Sequence, residues 1–335
     1  MAALNYQAPW WLPGGNLQTI WPALAGQRVS GPPVRFRRER WSTPDQDFID
    51  VDWLMADAVL PGAEPARRAA PLLVLFHGLE GSSESHYAQA FADYARTCGA
   101  AFAVAHFRGC SGELNHGPRA YHSGDHQEID WVLRRFRALH DGPVLAVGVS
   151  LGGNALMRWA GEWGHSAGEV VRAVASVCAP LDLAAGGHAI GRGFNRLVYT
   201  RMFLRTMKPK ALRKLQQHPG LFDRDALLQA QDLYTFDNVF TAPLHGFAHT
   251  EDYWARASAK PHLADVAIPA LVLNPRNDPF VPAGSLPRVQ DVGSHVTLWQ
   301  PEHGGHVGFP RGTLPGHVRT LPDEVGRWLG DCLPA

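Results

Sequence analysis

The 335-residue sequence has no excess of charge: 31 Lys and Arg stand against 31 Asp and Glu. A balanced chain carries no overall field that would draw in a polyanion, so composition gives no sign of nucleic acid or an anionic membrane as a partner. Cysteine is scarce. The four residues Cys98, Cys110, Cys178 and Cys332 include no C-x-x-C pair, which leaves out the usual thiol-redox and zinc-knuckle spacings. Cys98 and Cys178 sit in or beside apolar stretches and read as small core residues of a protein kept in a reducing compartment. No apolar run approaches the ~20 residues that cross a bilayer. The opening Met1-Ala2-Ala3-Leu4-Asn5-Tyr6 lacks a basic segment followed by an apolar one. A soluble, cytoplasmic protein without stable membrane insertion is therefore expected. The histidines show no H-E-x-x-H spacing, so no metal site is expected. Internal repeats and low-complexity tracts are absent, and nothing in the sequence specifies an oligomeric state.

What the chain does have is an ordinary globular share of apolar residues, 45%, enough for a sizeable core. Its 17 histidines turn the net charge positive as pH falls below about 6.5. Residues 1–33 are rich in Pro, Gly and Trp, and are expected to form neither helix nor strand while packing on the body. Alternating patterns at 34–41 and 48–54, joined by Thr43-Pro44-Asp45, predict an antiparallel pair. A Pro/Ala/Arg loop follows over 61–70. Continuous apolar runs at 72–78, 101–106, 144–149, 170–177 and 267–273 read as buried strands of a parallel sheet, and 296–299 as a last short strand. Helical spacing occupies 87–98, 125–140, the stretch after residue 150, and 315–333. This alternation argues for an α/β protein with a mostly parallel central sheet flanked by helices. Residues 182–262 break it. They supply two or three helices inserted between core strands, a cap, so that 1–181 and 263–335 form one core. The basic residues of the cap read as a solvated helix face.

The organising stretch is Val144-Leu145-Ala146-Val147-Gly148-Val149-Ser150-Leu151-Gly152-Gly153-Asn154. An apolar strand runs into G-x-S-x-G and then into a helix, the context in which a serine hydroxyl is pushed out of a sheet on a strained turn. Gly148 and Gly152 flank the turn where side chains would collide with backbone. Leu151 opens the helix, so its N–H is free to face an anion. A serine nucleophile needs a base, the base needs an orienting acid, and the developing oxyanion needs donors. Asp278 lies in a polar loop just past a buried strand, with Asp265 and Asp291 as competitors. His306 lies in a Gly-rich loop past the next strand, with His303 as its competitor. The order serine, acid, histidine is that of a strand-end triad. His77-Gly78-Leu79 ends an earlier strand, where a second donor belongs: the expected oxyanion N–H groups are those of Leu79 and Leu151. His77 itself reads equally well as a satisfied polar group of the core.

Several segments beyond these carry a resemblance. Asn16-Leu17-Gln18-Thr19-Ile20, Phe76-His77-Gly78-Leu79-Glu80-Gly81-Ser82-Ser83, Phe107-Arg108-Gly109-Cys110-Ser111-Gly112, Tyr121-His122-Ser123-Gly124 and Gly148-Val149-Ser150-Leu151-Gly152-Gly153-Asn154 are similar to the YheT-like branch of the α/β-hydrolase superfamily. Asp252-Tyr253-Trp254-Ala255-Arg256-Ala257-Ser258, Asn277-Asp278-Pro279-Phe280 and Gly304-Gly305-His306-Val307-Gly308-Phe309 continue the match over nearly the whole chain. The resemblance implies an α/β-hydrolase fold and carboxylic-ester hydrolysis, with medium-chain acyl transfer to alcohols in some eukaryotic relatives. It assigns Ser150 as nucleophile, Asp278 as orienter and His306 as base. Some eukaryotic relatives carry an N-terminal membrane anchor that this sequence does not show. An Asp five positions after the histidine, an acyltransferase signature elsewhere in the superfamily, is replaced here by Arg311.

The leading expectation is a serine esterase of short- to medium-chain acyl groups acting on a small-molecule ester, with no cofactor. An acyltransferase or thioesterase on the same triad is the alternative, and a catalytically silent binding module the third. Within the cap, Met202 and Phe203 are the residues expected to line an acyl pocket.

Overall fold

The computed structural model describes residues 4–55 and 69–333; the loop expected at 61–70 lies outside them up to residue 68. Eight strands form one sheet: β1 (Phe36–Ser42), β2 (Phe48–Leu54), β3 (Leu72–Phe76), β4 (Ala101–Ala105), β5 (Val144–Val149), β6 (Ala173–Val177), β7 (Ala270–Leu273) and β8 (Val296–Trp299). Their spatial order is β1-β2-β4-β3-β5-β6-β7-β8. β1 and β2 pair antiparallel, β2 meets β4 antiparallel, and every pairing from β4 to β8 is parallel. Every residue of β3, β5, β6 and β7 is buried. That is why these segments are continuously apolar: helices cover both faces of a parallel sheet.

From β3 the chain goes to β4 on one side, then returns to place β5 on the other side of β3. The loops leaving β3 and β5 therefore part in opposite directions and open a crevice at the strand ends, the usual place for a ligand in such a sheet. One apolar layer, with Trp41, Phe136 and Trp159, fills one side of the sheet, and another, with Phe91, Phe102 and Trp328, fills the other. The helix His126–Leu139 shows how the sequence sets this packing. Ile129, Val132, Leu133 and Phe136 share one face and are buried, as their i, i+3, i+4, i+7 spacing requires, and Asp125 caps its first turn.

Two expectations need correction. Residues 1–33 are not wholly irregular: Gly14–Ala25 is an α-helix, α1. Pro13 sits at its N-cap with φ −72° and Gly26 at its C-cap, so both punctuate the helix rather than break it; Pro22 alone lies inside. The glycine at 15 serves close approach: a Cβ there would fall 1.8 Å from the carbonyl oxygen of Asn277. Cys98 is exposed, whereas Cys178 is buried. Cys98 is the last residue of the helix His86–Cys98, on its solvent side.

The two or three helices expected in residues 182–262 also fall short: between β6 and β7 the described residues form helical segments at 183–190, 193–217, 224–229, 233–244 and 250–257, and no strand. The longest helical stretch, 193–217, joins Gly193–Asn195, a π-helical turn Arg196–Thr200 and the helix Arg201–Gln217.

Candidate active site

β5 delivers Ser150 at the crevice. Its backbone has φ 53° and ψ −117°, a left-handed conformation that an L side chain adopts only under strain. The turn is held from both sides: the Ser150 N–H donates to the carbonyl of Val177 at 2.8 Å, and the N–H groups of Gly153 and Asn154 donate to the Ser150 carbonyl. The flanking glycines are required sterically. A Cβ on Gly148 would lie 2.4 Å from the Gly152 oxygen, and one on Gly152 would lie 2.5 Å from the Phe76 oxygen. The helix Leu151–Trp163 begins at the next residue. Asn154, fully buried, ties that helix outward through its side chain to the carbonyls of Ser123 and Ala257 and to the N–H of Ala259.

Asp278 and His306 come to the serine on the loops after β7 and β8. His306 Nε2 lies 3.0 Å from Ser150 Oγ, and His306 Nδ1 lies 2.8 Å from Asp278 Oδ2. The other Asp278 oxygen accepts the Phe280 N–H at 2.8 Å, so the carboxylate is fixed at both ends. The Phe280 ring lies 4.1 Å, centroid to centroid, from the imidazole. Asp278 and His306 are both buried. The competitors stand elsewhere. His303 is exposed, Asp265 is exposed, and Asp291 binds the backbone of Arg288.

Leu79 leaves β3 on the opposite wall of the crevice, and Leu79, Ser150 and Leu151 line one cavity. Among the described residues neither the Leu79 N–H nor the Leu151 N–H donates to a protein acceptor. The residues beside Leu79 are occupied: Gly78 N–H donates to Tyr87 Oη, and Glu80, at φ 57°, donates its N–H to Tyr121 Oη. The Glu80 carboxylate accepts from Tyr121 Oη at 2.9 Å and from Lys210 Nζ of the helix Arg201–Gln217 at 3.0 Å. His77 belongs to the core. It is wholly buried, its Nε2 accepts the Phe107 N–H at 3.1 Å, and its Nδ1 therefore donates to the Gly78 carbonyl. Burial pushes its pKa down to about 3, which keeps it neutral.

The cavity has a volume of about 160 Å³. Ser150 and His306 form part of its wall, and Leu183, Ile190, Phe203, Met207, Phe236 and Phe240 of residues 182–262 form much of the rest. Phe203 is one of the two residues expected there. Met202 is not: it is 54% exposed and lies outside the lining. Successive helical residues point about 100° apart, so only one of the pair can face inward.

The part played by α1 is not legible in the sequence alone. Gln18, 1% exposed, accepts hydrogen bonds at its Oε1 from Asn277 Nδ2 at 2.9 Å and from the Gly304 N–H at 3.0 Å. Thr19 Oγ1 accepts the His306 N–H at 2.8 Å. Asn277 in turn accepts the Gly305 N–H. The loops bearing Asp278 and His306 are thus stitched to each other and to α1. Gly308 permits this contact, since a Cβ there would lie 1.8 Å from the Gln18 carbonyl oxygen. The Asn16-Leu17-Gln18-Thr19 motif was visible, but no local signal says what those side chains bind.

Cys178, at φ 52°, packs under the same loops, with its Sγ accepting the Val307 N–H at 3.2 Å. Among the described residues, Cys178, Asp278 and His306 are the one group whose donor atoms lie close enough to share a metal ion, all within 4.8 Å. All three are buried, and His306 Nδ1 already bonds Asp278.

Residues 71–313 match the family model described as alpha/beta hydrolase fold. The chain is 37% identical to the candidate esterase YheT of Escherichia coli (strain K12) over 324 residues, covering 96% of this chain and 91% of that protein. It is 29% identical to human phospholipase ABHD3 over 327 residues, covering 96% of this chain and 77% of that protein. Among solved structures, the Pyrococcus furiosus esterase Pf2001 shares the fold with a TM-score of 0.52 at 14% identity, over 92% of this chain and 98% of that one.

Proposed function

The chain belongs to the α/β-hydrolase fold family, and we propose that it is a serine esterase cleaving esters of short- to medium-chain acyl groups through Ser150, His306 and Asp278. The observation that carries this reading is the pair of contacts at His306, 3.0 Å to Ser150 Oγ and 2.8 Å to Asp278 Oδ2. The relatives named as an esterase and a phospholipase support ester chemistry.

The roles follow from the atoms. His306 Nδ1 donates to Asp278, which fixes the tautomer and leaves Nε2 as the acceptor facing Ser150. As Ser150 Oγ attacks the ester carbonyl, its proton passes to Nε2, and buried Asp278 stabilises the imidazolium. The carbonyl oxygen gains negative charge against the free N–H groups of Leu79 and Leu151, which need no reorganisation to receive it. His306 then protonates the departing alkoxide, leaving an acyl-enzyme on Ser150. Water, deprotonated by the same Nε2, attacks that acyl group, and the serine leaves with the proton. The apolar cavity beside Ser150 supplies the acyl subsite. Each methylene it takes from water contributes about 0.8 kcal/mol where the wall is apolar.

The test is hydrolysis of a nitrophenyl ester series from acetate to dodecanoate by the wild type and Ser150→Ala. The proposal requires turnover that rises from acetate into the medium chain lengths and disappears in the variant. Near wild-type turnover by purified Ser150→Ala removes Ser150 from the mechanism. Product acyl groups appearing on an added alcohol rather than as free acid would make the enzyme a transferase.

A further inference from the structure

The whole-chain charge balance hides a strong local imbalance. Residues 183–222 contain eight Lys and Arg and no Asp or Glu. Within this run the helical stretch 193–217 has two distinct sides. Phe203, Met207, Lys210 and Lys214 line the cavity, at the spacing of one helix face. The opposite side carries Phe194, Leu197, Val198 and Met202, exposed to 51%, 57%, 37% and 54%. A soluble surface does not usually group large apolar side chains this way.

Arginines are interleaved with them. Arg192, Arg196, Arg201 and Arg205 are all exposed. Among the described residues, Arg192, Arg201 and Arg205 have no side-chain hydrogen bond or ion pair, and Arg196 bonds only the neutral amide of Gln231. The face is therefore apolar and positively charged, with no acidic residue within 183–222 to neutralise it; Asp232 stands at its edge, beside Gly191.

We propose that this outer face docks on an anionic lipid surface, its apolar side chains entering the headgroup layer and its arginines pairing with lipid phosphates. Exposed aromatic and aliphatic groups flanked by Arg, with no acids, are the pattern of a helix lying in a membrane interface. A second copy of the chain fits poorly, because a symmetric contact through this face would set arginine against arginine. The inner side of the same helix walls the cavity beside Ser150, so docking places that cavity about one helix diameter, roughly 10 Å, from the lipid surface. Resting on the esterase reading above, this makes the natural substrates esters held in or at a bilayer.

The experiment is co-sedimentation with large vesicles of phosphatidylcholine alone or mixed with phosphatidylglycerol, using the full chain in wild-type and Ser150→Ala forms. Binding is read apart from hydrolysis, so loss of esterase activity in Ser150→Ala with retained vesicle binding separates the two readings. The proposal predicts binding to the mixed vesicles and little to phosphatidylcholine. It predicts about 25-fold weaker partition for Arg201→Gln/Arg205→Gln, taking roughly fivefold per arginine near an anionic surface, and weaker partition for Leu197→Asp. Added salt should release the protein. Both variants should keep wild-type melting temperature and wild-type turnover of a soluble acetate ester. Absence of wild-type binding to the anionic vesicles overturns the proposal, as does equal binding to both vesicle types or unchanged partition of Arg201→Gln/Arg205→Gln. Self-association of the wild type that Leu197→Asp abolishes would assign the face to a second copy instead.

Discussion

Thr19 accepts the backbone N–H of His306 at 2.8 Å, across 287 residues of sequence. Beside it Gln18 holds Asn277 and Gly304, so one turn of α1 fixes both the loop before Asp278 and the loop before His306. Neither side chain of α1 touches Ser150. Their effect is to add a second set of ties to two loops already joined by the Asn277–Gly305 and Asp278–His306 hydrogen bonds, and so to hold them in a single arrangement.

Gln18→Ala should lower kcat by about 10- to 100-fold with little change in KM, because a small misplacement of the base weakens the transition state more than substrate binding. Gln18→Glu keeps an acceptor at the same place and should recover part of the loss. Steady-state kinetics with melting curves check this. Equal activity for wild type and Gln18→Ala would reduce α1 to packing.

Removing the imidazole of His306 should cut turnover by several orders of magnitude, since triad members act as a unit. His303→Ala should be mild: that ring is exposed and its Nδ1 stands 3.4 Å from Asn277 Nδ2, away from the serine. Side-by-side turnover numbers decide, and the reverse ranking would mean that the other histidine is the base.

Phe203→Ala should lower the ratio of octanoate to acetate ester turnover about fivefold or more, because it removes an apolar wall from the cavity. Met202→Ala should leave that ratio alone. A lowered melting temperature with an unchanged ratio in Phe203→Ala would place the ring in cap packing only.

Stability should fall as pH drops from about 6.5 to about 4. Burial holds His122 at about 4 and His245 at about 3. Their rings pack 4.4 Å apart, between the loop after β4 and residues 182–262. In that pH window the unfolded chain takes up protons at these positions and the folded chain does not, so each unit of acid favours unfolding. Asp125 opposes the shift at His122 and Arg119 adds to it. Glu128, raised to about 7 by burial, contributes with the opposite sign between 7 and 4.5. Thermal melts across the window should show a shallower decline for His122→Gln/His245→Gln than for the wild type. Parallel curves would contradict the assignment.

The sequence was most legible where one residue type has one use. Continuous apolar runs marked the parallel strands, and Gly148-Val149-Ser150-Leu151-Gly152 marked the turn, because buried strands and a tight elbow tolerate little else. α1 was unreadable for the opposite reason. Gly14, Gly15 and Pro13 look like breakers locally, but Gly15 is there to let the Asn277 backbone approach. The orientation of 193–217 was equally hidden. Apolar residues occur on both of its sides, one facing the cavity and one facing solvent, and adjacent Met202 and Phe203 cannot be told apart by type.

Whether Ser150 is an activated nucleophile is tested most directly by reaction of the folded wild-type protein with a fluorophosphonate, followed by peptide mass analysis. A single adduct on Ser150 is expected, absent from Ser150→Ala and strongly slowed in His306→Ala. A well-folded wild-type protein that takes no label, or takes it on another residue, would contradict the proposal that Ser150 is an activated nucleophile.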